Sequence, residues 1–183
     1  MALWGTSTAD ESKPKWLTAD QKENVYATDR GWVQLNGKGL EEVICAIGGL
    51  STSVGAATIN EIEFTTDTFS AAAGGNIDLT ITFNEQVTVD TAGGTPTVVV
   101  TNDQTGGGTD ATFTAAYQSG SSTNRLVFRA TYGAADGGVA DTDVLSVASQ
   151  NIVLNSGTIV DKGTSTNSGV AVPAGENTLT VAA

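Results

Sequence analysis

The chain has 183 residues, of which 39% are hydrophobic and 15% charged, and its net charge is −12. That length holds one domain with an appendage or two small ones. That charge repels phosphate backbones and anionic headgroups, which argues against nucleic-acid and membrane partners, and the lack of any histidine removes the commonest general base and metal ligand.

The charge and the aromatic residues are unevenly spread. Trp4, Trp16 and Trp32 all precede Leu50. Residues 1–50 carry 5 basic and 7 acidic groups, a balance of −2, and residues 51–183 carry 3 basic and 13 acidic groups, a balance of −10. Glycine, threonine, serine and valine dominate the second part, the composition of a turn-rich β protein. A division into an N-terminal region, 1–50, and a β domain, 58–183, follows.

Taken in chain order, residues 1–17 lack periodicity and read as an extended arm, because Pro14 disfavours helix at Lys13. The start Met1-Ala2-Leu3-Trp4 has no basic residue ahead of an apolar stretch, so a signal peptide is not expected, and no segment approaches the length of a membrane span. Thr18-Ala19-Asp20-Gln21 fits a capping box and predicts a short helix from Ala19 to Ala27. Gly31–Leu35 and Glu41–Ile47 flank Asn36-Gly37, a hairpin signal. Gly48 to Ala56 is small and flexible, and the boundary is placed there.

From Thr58 the pattern is strands. Ile59, Ile62 and Phe64 suggest the first. Ile77, Leu79, Ile81 and Phe83 alternate cleanly with Asp78, Thr80 and Thr82. A bulge is expected at Glu85-Gln86 before Val87 and Val89. Thr97–Thr101, Phe113–Tyr117 and Leu126–Ala130 follow, the last two joined by the loop Gln118–Thr123. Val144–Val147, Ile152–Leu154, Thr158–Val160 and Thr178–Val181 complete the set. Short strands at roughly ten-residue spacing predict an antiparallel sandwich.

Candidate sites divide between docking and chemistry. The three tryptophans either form a small core or serve as interface anchors. Fifty residues have too little interior for three indoles, and aromatic residues are favoured as anchors, so at least one is expected at an interface. Lys13 and Lys15 flank Pro14 and either pair with acidic residues of a partner or lie on a solvated arm. Asp136, Asp141 and Asp143 lie in a glycine-rich stretch. Oxygen ligands in such a loop suit Ca²⁺, although aspartates also serve simply as turn formers, and the spacing is not that of an EF-hand. Glu61 and Glu63 face the same way on a strand, as a glycosidase pair or as a solvated face. Cys45, the single cysteine, sits among Val43, Ile44 and Ile47 as a buried small hydrophobe or a thiol. Gly106-Gly107-Gly108 lacks a following Lys-Ser/Thr and reads as a loop. No nucleophile–base pair is recognisable, so an enzyme is not expected and no cofactor is implied.

Two stretches carry a resemblance. Ile81-Thr82-Phe83-Asn84-Glu85-Gln86-Val87, Gly94-Thr95-Pro96-Thr97-Val98, Leu126-Val127-Phe128, Asp141-Thr142-Asp143 and Gly157-Thr158-Ile159-Val160-Asp161 run in the order found in bacterial and phage Ig-like modules, which residues 77–161 resemble. Met1-Ala2-Leu3-Trp4-Gly5, Ser12-Lys13-Pro14-Lys15-Trp16-Leu17 and Gly31-Trp32-Val33 make the N-terminal stretch similar to virion structural proteins of T4-like marine and cyanobacterial myophages. The resemblance implies a mainly β chain, an Ig-like antiparallel β-sandwich preceded by a small α+β anchor of arm, short helix and hairpin. It implies a virion surface protein, assembled in the host cytoplasm, without saying which part of the virion; a capsid decoration protein is the expectation adopted. Its expected partners are the major capsid protein or another virion protein and further copies of itself, with host glycans as a further contact. The anchoring residues would be Trp4, Lys13, Lys15, Trp16 and Trp32. A neck, tail or fibre-base protein and a bacterial adhesin or carbohydrate-binding module are the alternatives. Adhesins usually repeat their Ig units, and this chain shows no repeat.

Overall fold

The computed structural model describes residues 13–28, 30–36, 40–46, 56–104, 111–133, 138–163 and 165–182. Trp4, Asp136, the Gly106–Gly108 loop and most of the expected boundary lie outside them.

Helix α1 (Ala19–Glu23) starts as the sequence dictates. Thr18 Oγ1 accepts from the Gln21 amide at 3.3 Å, and Gln21 Oε1 accepts from the Thr18 amide at 3.0 Å. The helix stops four residues earlier than expected. Asn24 closes it, its amide donating to Gln21 O at 3.2 Å and its side chain to Asp20 O at 3.1 Å. Beyond Asn24 the β-branched Val25 and the aromatic Tyr26 are both fully buried. They extend into β1 (Val25–Thr28), which pairs antiparallel with β2 (Gly31–Leu35), and β2 pairs with β3 (Glu41–Cys45). Burying two large side chains against a sheet outweighs helix propensity here.

The larger unit contains β4 (Ile59–Phe64), β5 (Phe69–Ser70), β6 (Gly75–Asp90), β7 (Thr97–Asp103), β8 (Ala111–Ser119), β9 (Thr123–Tyr132), β10 (Val144–Ser146), β11 (Gln150–Asn151), β12 (Thr158–Asp161), β13 (Ala171–Val172) and β14 (Leu179–Ala182). Hydrogen bonds join most of them in one path, β12-β6-β9-β8-β7-β10-β14-β5, with β4 also on β6 and a separate β11–β13 pair. The mainly β expectation holds, but in place of a clear two-sheet sandwich the sheet is strongly curled around its core, like half a barrel. It is mixed, since β14 and β5 run parallel and the other pairings are antiparallel. The expected strand at Ile152–Leu154 is instead a single bridge, Thr97 to Val153, next to β11.

Strand β6 organises the sheet. Its residues Ile77, Leu79, Ile81 and Phe83 are each fully buried, which is the alternation read in the sequence. Up to Thr82 it pairs with β9 on one side, while Leu79–Phe83 pairs with β4 on the other. The register with β9 then slips between Thr82 and Val87, and Val87–Asp90 takes β12 as a new neighbour. A bulge both bends a strand and increases its twist, so β6 can serve partners that diverge from each other.

The core facing β6 includes Val98, Val100, Leu126, Phe128, Leu145 and Val181. Phe128 packs edge-on against Tyr117, with ring centroids 6.0 Å apart, and Phe69 against Tyr132 at 5.8 Å. Outside the core, two arginines cross-link strands. Arg129 makes a bidentate pair with Asp78 at 2.6 and 2.7 Å, and Arg125 reaches Glu63 at 2.9 Å.

Side-chain amides continue the ladder where a neighbouring strand gives out. Asn177 accepts from the Phe64 amide at 2.7 Å and donates to Phe64 O at 3.0 Å. Gln150 does the same for Val99, at 2.8 and 2.7 Å. Each supplies the donor and acceptor that a strand would have offered.

Phe128 is fully buried and in ring contact with Tyr117. Phe128→Ala is expected to destabilise the fold by about 3–5 kcal/mol, measured as a lower urea midpoint with an unchanged slope.

Candidate functional site

The N-terminal residues that sequence singled out have separate fates. The Leu17 amide donates to Pro14 O at 3.2 Å, closing a turn. That turn sends Leu17 inward, against Val25 and Trp32, and leaves Trp16 65% exposed. Trp32 is only 3% exposed and belongs to the same cluster, with Ile44 and Cys45 packed beside it. It is therefore core in this structure, and Cys45 is part of its packing. Lys15 is exposed, but Lys13 is buried and donates through Nζ to Lys22 O near the end of α1. A lysine there both satisfies a helix carbonyl and complements the negative helix end. Of the described anchoring residues, Lys15 and Trp16 are thus the two that face outward. Leu40 and Val43, which sequence reading passed over, are also exposed apolar groups, at 62% and 38%.

Glu41 ties this region to the larger sheet. It accepts from Tyr26 OH at 3.2 Å and from Gln86 Nε2, on β6, at 2.8 Å, and it pairs with Arg30. Burial and the Glu41 carboxylate push the Tyr26 hydroxyl up to about 12, so it remains a donor throughout the physiological range. These partners lie 15, 45 and 11 residues from Glu41. No local spacing signals such a junction.

A cleft of about 520 Å³ is lined by Asp20, Asn24, Glu61, Glu63, Arg125 and Glu176. It is polar and open, and brings the end of α1 beside β4 and β9. Glu61 and Glu63 therefore do share a concave surface, as their spacing along one strand suggested. Glu63 is held by Arg125, however, which occupies it as a structural ion pair.

The aspartates considered for calcium are also distributed between roles. Asp141 is exposed, whereas Asp143 is 3% exposed. Asp143 Oδ2 accepts from the Ala140 amide at 2.8 Å and from Asn102 Nδ2 at 2.9 Å. Asn102 Nδ2 also donates to Gly138 O at 2.5 Å. N–H donors thus converge on the carboxylate and fix the loop 138–143 to β7. Among the described residues no group of three histidine, cysteine or acidic side chains is placed to hold a metal ion, and no helix is long and apolar enough to cross a membrane.

Asp143→Ala leaves the buried Asn102 amide and the part-buried Ala140 N–H each short of an acceptor and is expected to destabilise the fold by about 1–3 kcal/mol in urea unfolding. Because that carboxylate already serves N–H donors, adding Ca²⁺ to the unaltered chain is expected to leave its melting temperature unchanged, read by calorimetry with and without chelator. Compared with known proteins, the chain matches no family model, no curated protein and no solved structure.

Proposed function

We propose that this chain is a non-enzymatic structural protein of a tailed-phage virion. In this reading it is a capsid decoration protein that docks through residues 1–50 and displays residues 58–183 as an acidic Ig-like domain. The observation that carries the reading is the exposure of Trp16, at 65%. An indole is costly to leave in water and well suited to fill a pocket on a partner. It stands beside the exposed Lys15, in the region where five of the eight basic residues are found. The rest of the chain carries the −10 balance, which favours solubility where many copies are crowded.

The Ig-like assignment rests on the order of its strand motifs; the long antiparallel pairings of β6 with β9 and β7 with β8 are compatible with it. The capsid protein, or another virion protein, is the partner in this reading. Contacts between copies would raise the effective concentration of each next contact.

The full chain and its Trp16→Ala variant should be sedimented with heads purified from a T4-like myophage without their decoration proteins. The unaltered chain is expected to bind the heads. The variant is expected to bind at least about tenfold more weakly, as for an anchor residue. Equal binding by the two proteins would remove Trp16 from the interface. Capture on tails but not heads would move the protein to the neck or tail.

A further inference from the structure

Three consecutive residues of the β6 bulge each hold a different part of the molecule. Asn84 is bound twice to Thr58, its amide donating to Thr58 O at 3.0 Å and its Oδ1 accepting from the Thr58 amide at 2.7 Å. Gln86 donates through its side chain to Glu41 of β3 at 2.8 Å, and its carbonyl accepts from the Lys162 amide, just past β12, at 2.9 Å. Between them Glu85 turns into the interior. It is 7% exposed and hydrogen-bonds to the side chain of Asp161, itself 1% exposed. The start of the larger sheet, the end of β12 and the N-terminal hairpin are therefore all fastened at one bulge.

The middle fastening joins two acids. Two carboxylates buried side by side repel each other, and one shared proton turns that repulsion into a hydrogen bond. The surroundings of Glu85 are otherwise neutral or already engaged. From β9, Asn124 is buried and donates to Phe83 O at 3.3 Å. Arg125 is drawn away to Glu63 at 2.9 Å. Lys162 directs Nζ to Ser122 O at 3.5 Å, in an exposed position. From β3, Glu41 is engaged with Arg30, Tyr26 and Gln86. Among the described residues Glu85 Oε1 is buried with no hydrogen-bond partner, so an ionised Glu85 has an oxygen left poorly solvated.

We infer that Glu85 and Asp161 form a proton-held latch that controls how firmly the N-terminal hairpin and β12 are attached to the sheet. With its proton the pair closes the interior of the bulge. Without it, two negative charges face each other behind Asn84 and Gln86, and the attachments made by those residues loosen together.

Burial and the neighbouring Asp161 push Glu85 up to about 8. A carboxyl raised above its ordinary value contributes stability that is complete below the unfolded value of about 4.5 and is lost as pH rises through the folded value. The latch is therefore closed in acid and opens on the alkaline side of neutrality.

Two measurements on the full chain test this. The first follows the Glu85 side-chain carboxyl by ¹³C NMR, where a titration midpoint near 8 is expected. A midpoint in the ordinary glutamate range would overturn the latch. The second compares melting temperature from about pH 5 to pH 9 in the unaltered chain and in Glu85→Gln, whose amide donates to Asp161 but does not titrate. The unaltered chain is expected to lose stability as pH rises, with the amides of Gln86 and Lys162 exchanging faster than the intrinsic pH effect requires. Glu85→Gln is expected to stay level. The same downward slope in both proteins would refute the proposal. The carboxyl titration decides the matter even where the variant does not fold.

Discussion

The partner change within β6 is the constraint on which the rest of the structure depends. A strand of 16 residues cannot stay flat and keep one set of neighbours in a sheet this curled. It therefore keeps β4 and β9 for its first part, breaks register after Thr82, and takes β12 for its last four residues. The alternation of Ile77, Leu79, Ile81 and Phe83 fixes which face is inward, because a slip of one residue would expose all four. The bulge then delivers the chain to β12 with Val87 again buried.

The same bulge is where the two parts of the chain meet, and the chemistry there differs from that of the cores. Val25 and Trp32 anchor one apolar cluster, and the large sheet encloses another. A hydrogen bond between the parts runs from Gln86 to Glu41, side chain to side chain. Polar links of this kind are directional and depend on ionic state, whereas apolar packing depends on area. Under the proposed docking role, such a joint would be an advantage. The larger sheet would keep its fold while the N-terminal part responds to what it meets.

Much of this was legible in the sequence where a periodic pattern acted alone. The capping box of Thr18 and Gln21, the hairpin around Asn36 and the strand around Ile81 all depend on neighbours a few residues apart. The bulge before Val87 was legible because alternation fails there. What escaped were features decided by distant partners. Val25 and Tyr26 extend a helical pattern on paper, but burial against β2 makes them strand. Lys13 reads as an arm residue, yet a carbonyl nine residues away in sequence draws it inside. Glu85 reads as a residue of a bulge, and only its meeting with Asp161, on the neighbouring strand β12 but distant in sequence, reveals a buried acid. Of the proposed anchoring tryptophans, Trp16 and Trp32 could not be told apart by composition. A single turn at Pro14 separates them.

Gln150 and Asn177 have a consequence for how copies of this chain can meet. At Val99 and Phe64 they already occupy the backbone groups that a strand from another molecule would need. Cross-molecule β-extension is blocked at both places by two ordinary amide side chains. A second copy meeting the sheet there would have to be recognised through surface shape and charge, which guards against merging into fibre.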